Sequence, residues 1–439
     1  MTLRWMSMQL WRRRVTGPLV ALLITVLLMF LATHSLQNNR EHDVSAVERK
    51  AQRSDGVMHP SSHHNPSNTH RQREQPRPDS DPHQHGRRKR SLPPIAFLKT
   101  HKTGSSTVQN ILFRLGERER ATFAFPYISY QFSYPNRFQA KYVDELPAGS
   151  SQFDILCSHM RLDLPQLKQV MPPNTVLFTI LRDPTTTFES TFNYYTNVVP
   201  AFAKAKNASR VTGGKSALAT FLENPDAFWN PHARANGPAK NPMSFDLGLN
   251  NVAWSLSWPS DLIQLEDAFH LVMIMEHFDE SLVLLGDLLG LETEDLAYVR
   301  LNARAGHQVS PLERETREKI REWNSLDVLL YDFFFRLFWE KAKDYGLDRL
   351  NEDVAQLRVT RERLKQKCVS KEAVPPGELE DLLRPWQSET ATIVGYKVRE
   401  DLGTQDQAFC VRLVLPELQY HSHLYFQQYG RDMRAVPPE

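Results

Sequence analysis

Short apolar, β-rich runs, each followed by a segment with helical periodicity, constrain this chain more than any other feature. "PPIAFLKT" reads as a strand bounded by prolines; "SSTVQNILFRLGERER" then sets Val108, Ile111, Leu112 and Leu115 at helical spacing, with serines available as N-cap. "FDILCSHM" opens with another strand, "NTVLFTILRDP" is a β-rich run ending at Pro184 before "TTTFESTFNYYT", and "FHLVMIMEHFDESLVLLGDLLG" supplies a further strand and helix. This alternation predicts an α/β fold, an open and mostly parallel sheet with helices on both faces and ligands at the carboxyl ends of its strands. The C-terminal third reads as helical support. "SLDVLLYDFFFRLFWEKAKDYG" is apolar nearly all round, with Leu329, Leu330, Phe333, Phe334 and Leu337 as core, and "EDVAQLRVTRERLKQK" is amphipathic.

The chemistry is expected where the first strand meets its helix. "FLKTHKTGSST", residues 97–107, gathers two lysines, a histidine and hydroxyl residues around one glycine. At that junction free backbone N–H groups and the positive end of a helix dipole face one spot, which suits an anion. The loop is P-loop-like in position but lacks the G-x-x-x-x-G-K-[ST] order, and no convincing aspartate follows to hold magnesium. A metal-dependent nucleoside triphosphatase is therefore disfavoured, and no metal is expected. The formal net charge of +2 gives no basic excess for binding nucleic acid, so the anion site is local.

The N-terminus points to a membrane. From Val15 the chain runs "VTGPLVALLITVLLMFLA" without a charge, preceded by Arg12, Arg13 and Arg14. As a helix it would span about 27 Å, close to a bilayer's hydrocarbon thickness. A cleaved signal peptide is the alternative, but the run is long for one and no small-x-small site follows. The preceding arginines predict a single-pass type II anchor with the remainder luminal. From there to "RRKR" at Arg87–Arg90 the composition is Ser, His, Pro, Asn and charge, a flexible tether that offers a basic-specific protease one site. The expected organisation is a cytosolic tail over 1–14, an anchor over 15–33, a luminal stem over 34–91 and a folded luminal domain over 92–439. In an oxidising lumen Cys368 and Cys410 are expected to pair, whereas Cys157 in "FDILC" reads as a buried free thiol. "NAS" at Asn207 is a glycosylation acceptor in what reads as an exposed loop.

At these residues a resemblance is plain. "FLKTHKTGSST" resembles the 5′-phosphosulfate loop of Golgi carbohydrate sulfotransferases. "ILRDPTTTFESTFNYY" resembles their 3′-phosphate segment, an arginine followed eight residues later by a serine. With "CSHMRL", "EHFDESLVLL", "LNAR" and the late "GY…C…LPELQY", the match is closer still to the galactose-3-O-sulfotransferase family and covers nearly all of the chain beyond the stem. The resemblance implies a sulfotransferase fold and 3′-phosphoadenosine 5′-phosphosulfate as donor. It implies as acceptor the 3-hydroxyl of a terminal β-galactose on a glycolipid or glycoprotein; a homodimer is compatible with it. Lys102, Thr103, Gly104, Ser105, Ser106 and Thr107 would surround the 5′-phosphate, with Lys102 meeting charge on the bridging oxygen as the bond breaks. Arg182 and Ser190 would clamp the 3′-phosphate, and Asn302 and Arg304 would close over the nucleotide. Lys99 reads as a strand-end surface charge.

A sugar hydroxyl is a poor nucleophile and needs a positioned base. His159, following the strand "FDILC", falls at the family's position for it; His101 is the runner-up, and Glu189 a further possibility. Aromatic faces for a sugar are available in "FAFPYISYQFSYP" and "AFWNPHARANG". Two readings from other classes stand beside this one, a kinase-like phosphotransferase, which would need metal-binding carboxylates, and a catalytically silent, membrane-tethered glycan-binding protein; within the same class the alternative is a sulfotransferase for another Golgi glycan.

Overall fold

The computed structural model describes residues 92–309 and 311–433; the tail, anchor, stem and "RRKR" run expected above lie outside them. Among the described residues no helix is long and apolar enough to cross a membrane. The main sheet comprises β1 (Ile95–Leu98), β2 (Ile155–Leu156), β3 (Val176–Leu181) and β4 (Leu271–Ile274), all parallel, in the order β2-β1-β3-β4. Ile95 pairs with Ile155 on one side and Val176 on the other, so β1 is central. Its four residues are fully buried, as expected of strands covered on both faces, and this explains why these runs are continuously apolar rather than alternating.

Each strand feeds a helix: β1 leads to Ser105–Glu119, β2 to the short Leu164–Val170, β3 to Pro184–Tyr195 and β4 to Phe278–Leu289. The chain moves from β1 out to β2, then crosses back to β3 on the other side of β1. That reversal places a crevice at the carboxyl ends of β1 and β3, where open α/β sheets bind their ligands. The loop after β1 and Arg182 after β3 flank it. Helix Ser325–Tyr345 packs on β4, and Leu347–Cys368 packs against Phe278–Leu289. The last helix, Glu417–Tyr429, lies against Ser105–Glu119.

A second sheet stands apart from the expected parallel one: β5 (Ala303–Arg304), β6 (Val369–Val374) and β7 (Ile393–Val398) are antiparallel in the order β5-β7-β6. The sequence "VSKEAV" of β6 is exposed through its middle, so it carries no apolar pattern to read. Cys368 and Cys410 form the expected disulfide, tying helix Leu347–Cys368 to helix Thr404–Val414, and Cys157 is buried and free. Burial pushes the Cys157 thiol up. Two expectations fail. Asn207 is exposed, but on helix Pro200–Thr212 rather than in a loop: Pro200 starts the helix and Gly213 stops it. Leu329 is 47% exposed, off the buried stripe that carries Leu330 and Phe334, because position 329 falls on the outer face of its helix.

Candidate functional site

The loop from Lys99 to Gly104 is held by its own hydroxyls. Thr100 Oγ1 donates to the Ile180 carbonyl at 2.6 Å, tying the loop to β3. Thr103 Oγ1 meets Thr100 Oγ1 at 2.8 Å, and Ser105 Oγ donates to the Thr100 carbonyl at 2.6 Å. Of the residues expected to surround the 5′-phosphate, Thr103 is fully buried with its hydroxyl on Thr100, and the Ser105 hydroxyl is likewise engaged within the loop. Gly104 is the N-cap, at φ 81°, and an added Cβ would lie 2.4 Å from Met275 Sδ, so both conformation and space demand glycine. The serines sit inside the helix rather than capping it, and no side chain caps it. Its first amides therefore lack the usual protein acceptor at an end that favours anions.

Cations converge on that end. A cavity of about 320 Å³ is lined by Lys102, Gly104 to Thr107, Arg182, Ser190, Asn302 and Arg304, so most residues expected to hold a nucleotide share one wall; Thr103 does not. Arg182 Nη1 donates to the Lys102 carbonyl at 3.0 Å, bracing the loop's left-handed turn at Lys102 (φ 60°). Its neighbour Asp183 is no simple counter-charge, since that carboxylate caps helix Pro184–Tyr195 through the amides of Thr185 and Thr186, each at 3.0 Å. Arg304 is held by both oxygens of Glu189, at 2.9 and 2.5 Å. That contact removes Glu189 as a candidate base. Lys102 lies over the Tyr194 ring, its Nζ 3.5 Å from the centroid. Burial, then the nearby charges of Arg304, Arg182 and Lys99, push its ammonium down to about 7. Burial likewise lowers Arg182.

Two histidines stack with ring centroids 3.9 Å apart and nearly parallel; His159 lines this cavity, and His101, buried behind it, does not. His159 is placed by an extension of the β1–β2 pairing, as a bridge to Lys99. Its Nδ1 lies 2.8 Å from the Lys99 carbonyl and its Nε2 2.7 Å from Lys99 Nζ. A carbonyl accepts and an ammonium donates, so Nδ1 carries the proton and the Nε2 lone pair is engaged by Lys99. Burial, then His101 and Lys99, hold His159 well below the usual histidine range. Lys99 is itself 1% exposed and reaches both oxygens of Glu417 at 2.9 Å, so its reading as a surface charge is overturned. The strand end is covered by the last helix, a contact more than three hundred residues away in the chain.

His101 is arranged differently. Its backbone amide and Nδ1 both meet the carboxylate of Asp246, at 2.7 and 2.9 Å, and Tyr134 donates its hydroxyl to the same carboxylate at 2.8 Å. Asp246 ends the short helix Pro242–Asp246, whose first amides are held by Asp327. With Nδ1–H on Asp246, the lone pair of His101 lies on Nε2, which makes no hydrogen bond among the described residues.

A second cavity of about 370 Å³ adjoins the first, and the two share Ser106, His159, Tyr195, Leu301 and Asn302. Its walls are largely aromatic and apolar: Tyr130, Tyr194, Tyr195 and Trp386 line it, and Glu417 is the charged residue among the described ones that do. Ser129 to Gln131 come from the "FAFPYISYQFSYP" segment, as expected. The other segment does not contribute. Trp229 instead donates to the Asn236 carbonyl and packs against Trp323. The sequence alone does not mark Asp246, Glu417 or Trp386 as site residues; for Glu417 the signal it offers is a helix capped by Pro416 with a carboxylate in its first turn, in "LPELQY". Among the described residues no group of three or more His, Cys, Asp or Glu could hold a metal ion.

A family model described as galactose-3-O-sulfotransferase matches residues 14–428. The chain is 39% identical over 332 residues to galactosylceramide sulfotransferase of Homo sapiens, covering 74% of this chain and 76% of that one. It is 39% identical over 356 residues to galactose-3-O-sulfotransferase 3 of Bos taurus, covering 79% and 81%. With galactose-3-O-sulfotransferase 2 of Homo sapiens it shares 40% over 354 residues, covering 78% and 86%.

Proposed function

The chain belongs to the galactose-3-O-sulfotransferase family and is a sulfotransferase, and on that premise we propose that it transfers the sulfuryl group of 3′-phosphoadenosine 5′-phosphosulfate to the 3-hydroxyl of a terminal β-galactose on a glycolipid or glycoprotein glycan. The observation that carries the reading is the cluster of Lys102, Arg182 and Arg304 around a helix start that no side chain caps. Burial and then the neighbouring cations push Lys102 down, and a multiply charged anion relieves the repulsion among those cations. The donor supplies the activated sulfuryl group. Lys102 and the amides of Ser105 and Ser106 suit its phosphosulfate end, and Arg182 with Ser190 suits its 3′-phosphate, with Arg304 steadied by Glu189.

The aromatic cavity suits the galactose, whose apolar face packs on rings while its hydroxyls find polar partners. Of the two histidines, His101 is the better base. Its Nε2 is free to accept the hydroxyl proton, and Asp246 both fixes the tautomer and stabilises the imidazolium that forms. His159 has its lone pair held by Lys99 and serves to position that ammonium against Glu417. As the acceptor oxygen bonds to sulfur, the bond from sulfur to the bridging oxygen breaks; adenosine 3′,5′-bisphosphate leaves and the proton passes to His101. The proposed setting is the Golgi lumen, with the chain anchored in type II orientation.

The test is transfer of labelled sulfate by the full-length chain in detergent to a panel of β-galactosides. The parent labels the galactose 3-position, and His101→Ala loses about 10²- to 10⁴-fold in kcat while still binding adenosine 3′,5′-bisphosphate. Lys102→Ala loses turnover by about 10²-fold or more. Equal labelling by all three rejects the mechanism. Turnover kept in His101→Ala but lost in His159→Ala moves the base to His159.

A further inference from the structure

We propose that Ser106 and Glu417 couple the two cavities, so that occupancy of the donor site readies the acceptor site; this rests on the donor and acceptor reading given above. Ser106 lines both cavities, in the first turn of the helix that faces the anion. Its hydroxyl donates to Glu417 Oε2 at 2.9 Å, and Lys99 Nζ reaches the same oxygen and its twin at 2.9 Å. Glu417 is in turn the charged residue among the described ones lining the aromatic cavity. Burial resists its ionisation, yet Lys99 and Ser106 hold its carboxyl below the usual range, so it stands as a carboxylate.

A hydroxyl has one proton to donate. With the donor site empty, Ser106 gives that proton to Glu417. An anion at the helix start competes for it, since an oxyanion near Ser106 is as strong an acceptor as a carboxylate. When Ser106 turns to the anion, Glu417 loses one of its donors on the side of the aromatic cavity, and a sugar hydroxyl can replace it. The galactoside therefore binds better after the nucleotide, and by linkage the nucleotide binds better after the galactoside, by the same factor. Glu417 acts as an acceptor-binding residue whose availability is set by Ser106.

The magnitude is that of one hydrogen bond to a charged group, so the coupling factor is about tenfold. Calorimetry on the full-length chain measures it, with methyl β-galactoside titrated in the absence and in the presence of saturating adenosine 3′,5′-bisphosphate. The parent binds the galactoside about tenfold more tightly with nucleotide bound. Ser106→Ala removes the competing donor, so galactoside affinity without nucleotide rises to about the parent's nucleotide-bound value and the coupling factor falls to about one. Ser106→Thr keeps a hydroxyl and retains coupling, which a merely structural loss of the serine would not predict. A coupling factor near one in the parent, with both ligands binding, overturns the proposal and leaves the donor assignment standing. Undiminished coupling in Ser106→Ala does the same. Absence of nucleotide binding to the parent overturns the donor assignment itself, and the coupling with it.

Discussion

Lys102 makes nucleotide affinity depend on pH in a direction that can be worked out in advance. In the free protein its ammonium is pushed down to about 7 by burial and by Arg304, Arg182 and Lys99, with Tyr194 beneath it. A bound phosphate group opposes each of those charges and returns the lysine toward its ordinary range near 10. Binding at pH 8 therefore takes up a proton: the free lysine is only about one-tenth protonated there and the bound one nearly fully, so uptake is roughly 0.9 proton per nucleotide. Between pH 7 and pH 9 the protonated fraction of the free lysine falls from about one half to about one hundredth. Affinity for adenosine 3′,5′-bisphosphate should then fall by up to about 50-fold over that interval. The phosphate monoester completes its own ionisation near pH 6 and adds little in this window. Isothermal titration in HEPES and in Tris, whose ionisation heats differ, reads the uptake directly. Lys102→Arg should bind the nucleotide with little pH dependence, because a guanidinium stays charged throughout. Equal affinities at pH 7 and pH 9 for the parent, with no buffer-dependent heat, would refute the cationic cluster as the binding site for a polyanion.

Two further outcomes follow from the packing. Lys99→Met leaves the Glu417 carboxylate without its cation and His159 Nε2 without a donor, and should lower the unfolding free energy by about 3–5 kcal/mol in urea denaturation; the double variant Lys99→Met with Glu417→Leu should recover much of that. Breaking the Cys368–Cys410 bond, which closes a 42-residue separation, should cost about 4 kcal/mol on the chain-entropy estimate, seen as a lower denaturation midpoint for Cys410→Ser.

What could be read from the residues was local. The β1 run followed by a helical period, the loop between them and Arg182 at the end of β3 all lie within short windows, and the rule that places ligands at strand carboxyl ends then joins windows eighty residues apart. The disulfide was legible because few cysteines were available to pair. The fate of Lys99 was not legible, since whether a strand-end lysine is exposed depends on which distant segment covers it. Here the cover is Glu417 on the last helix, and no periodicity near residue 99 records that contact. The hydroxyls of the loop show the same limit. Their number suggested an anion cradle, yet Thr103 and Ser105 bond back to Thr100, a division of labour set by the turn itself. Asp246 was hidden for a third reason: it ends a five-residue helix with no strong pattern of its own, and its role appears only once Asp327 and Tyr134 fix it beside His101.

The surroundings of the two stacked histidines are what favour His101 over His159 as the base in the proposed mechanism. Their rings are 3.9 Å apart, and at that separation in a buried site two imidazolium charges would repel strongly. The choice between them follows from what each has for counter-charge. His159 faces an ammonium through Nε2 and a carbonyl through Nδ1, and neither stabilises a second proton; burial, His101 and Lys99 all act to keep it neutral. His101 has the Asp246 carboxylate against its Nδ1 and an unoccupied Nε2. On the proposed reading a neutral His159 is useful in its own right, because it lets a ring stand beside the developing imidazolium without adding charge, while accepting from Lys99. On the proposed reading, replacing His159 by a residue that cannot accept from Lys99 leaves that ammonium on Glu417 alone and removes the ring stacked on His101, so a fall in turnover on that substitution would not by itself make His159 the base.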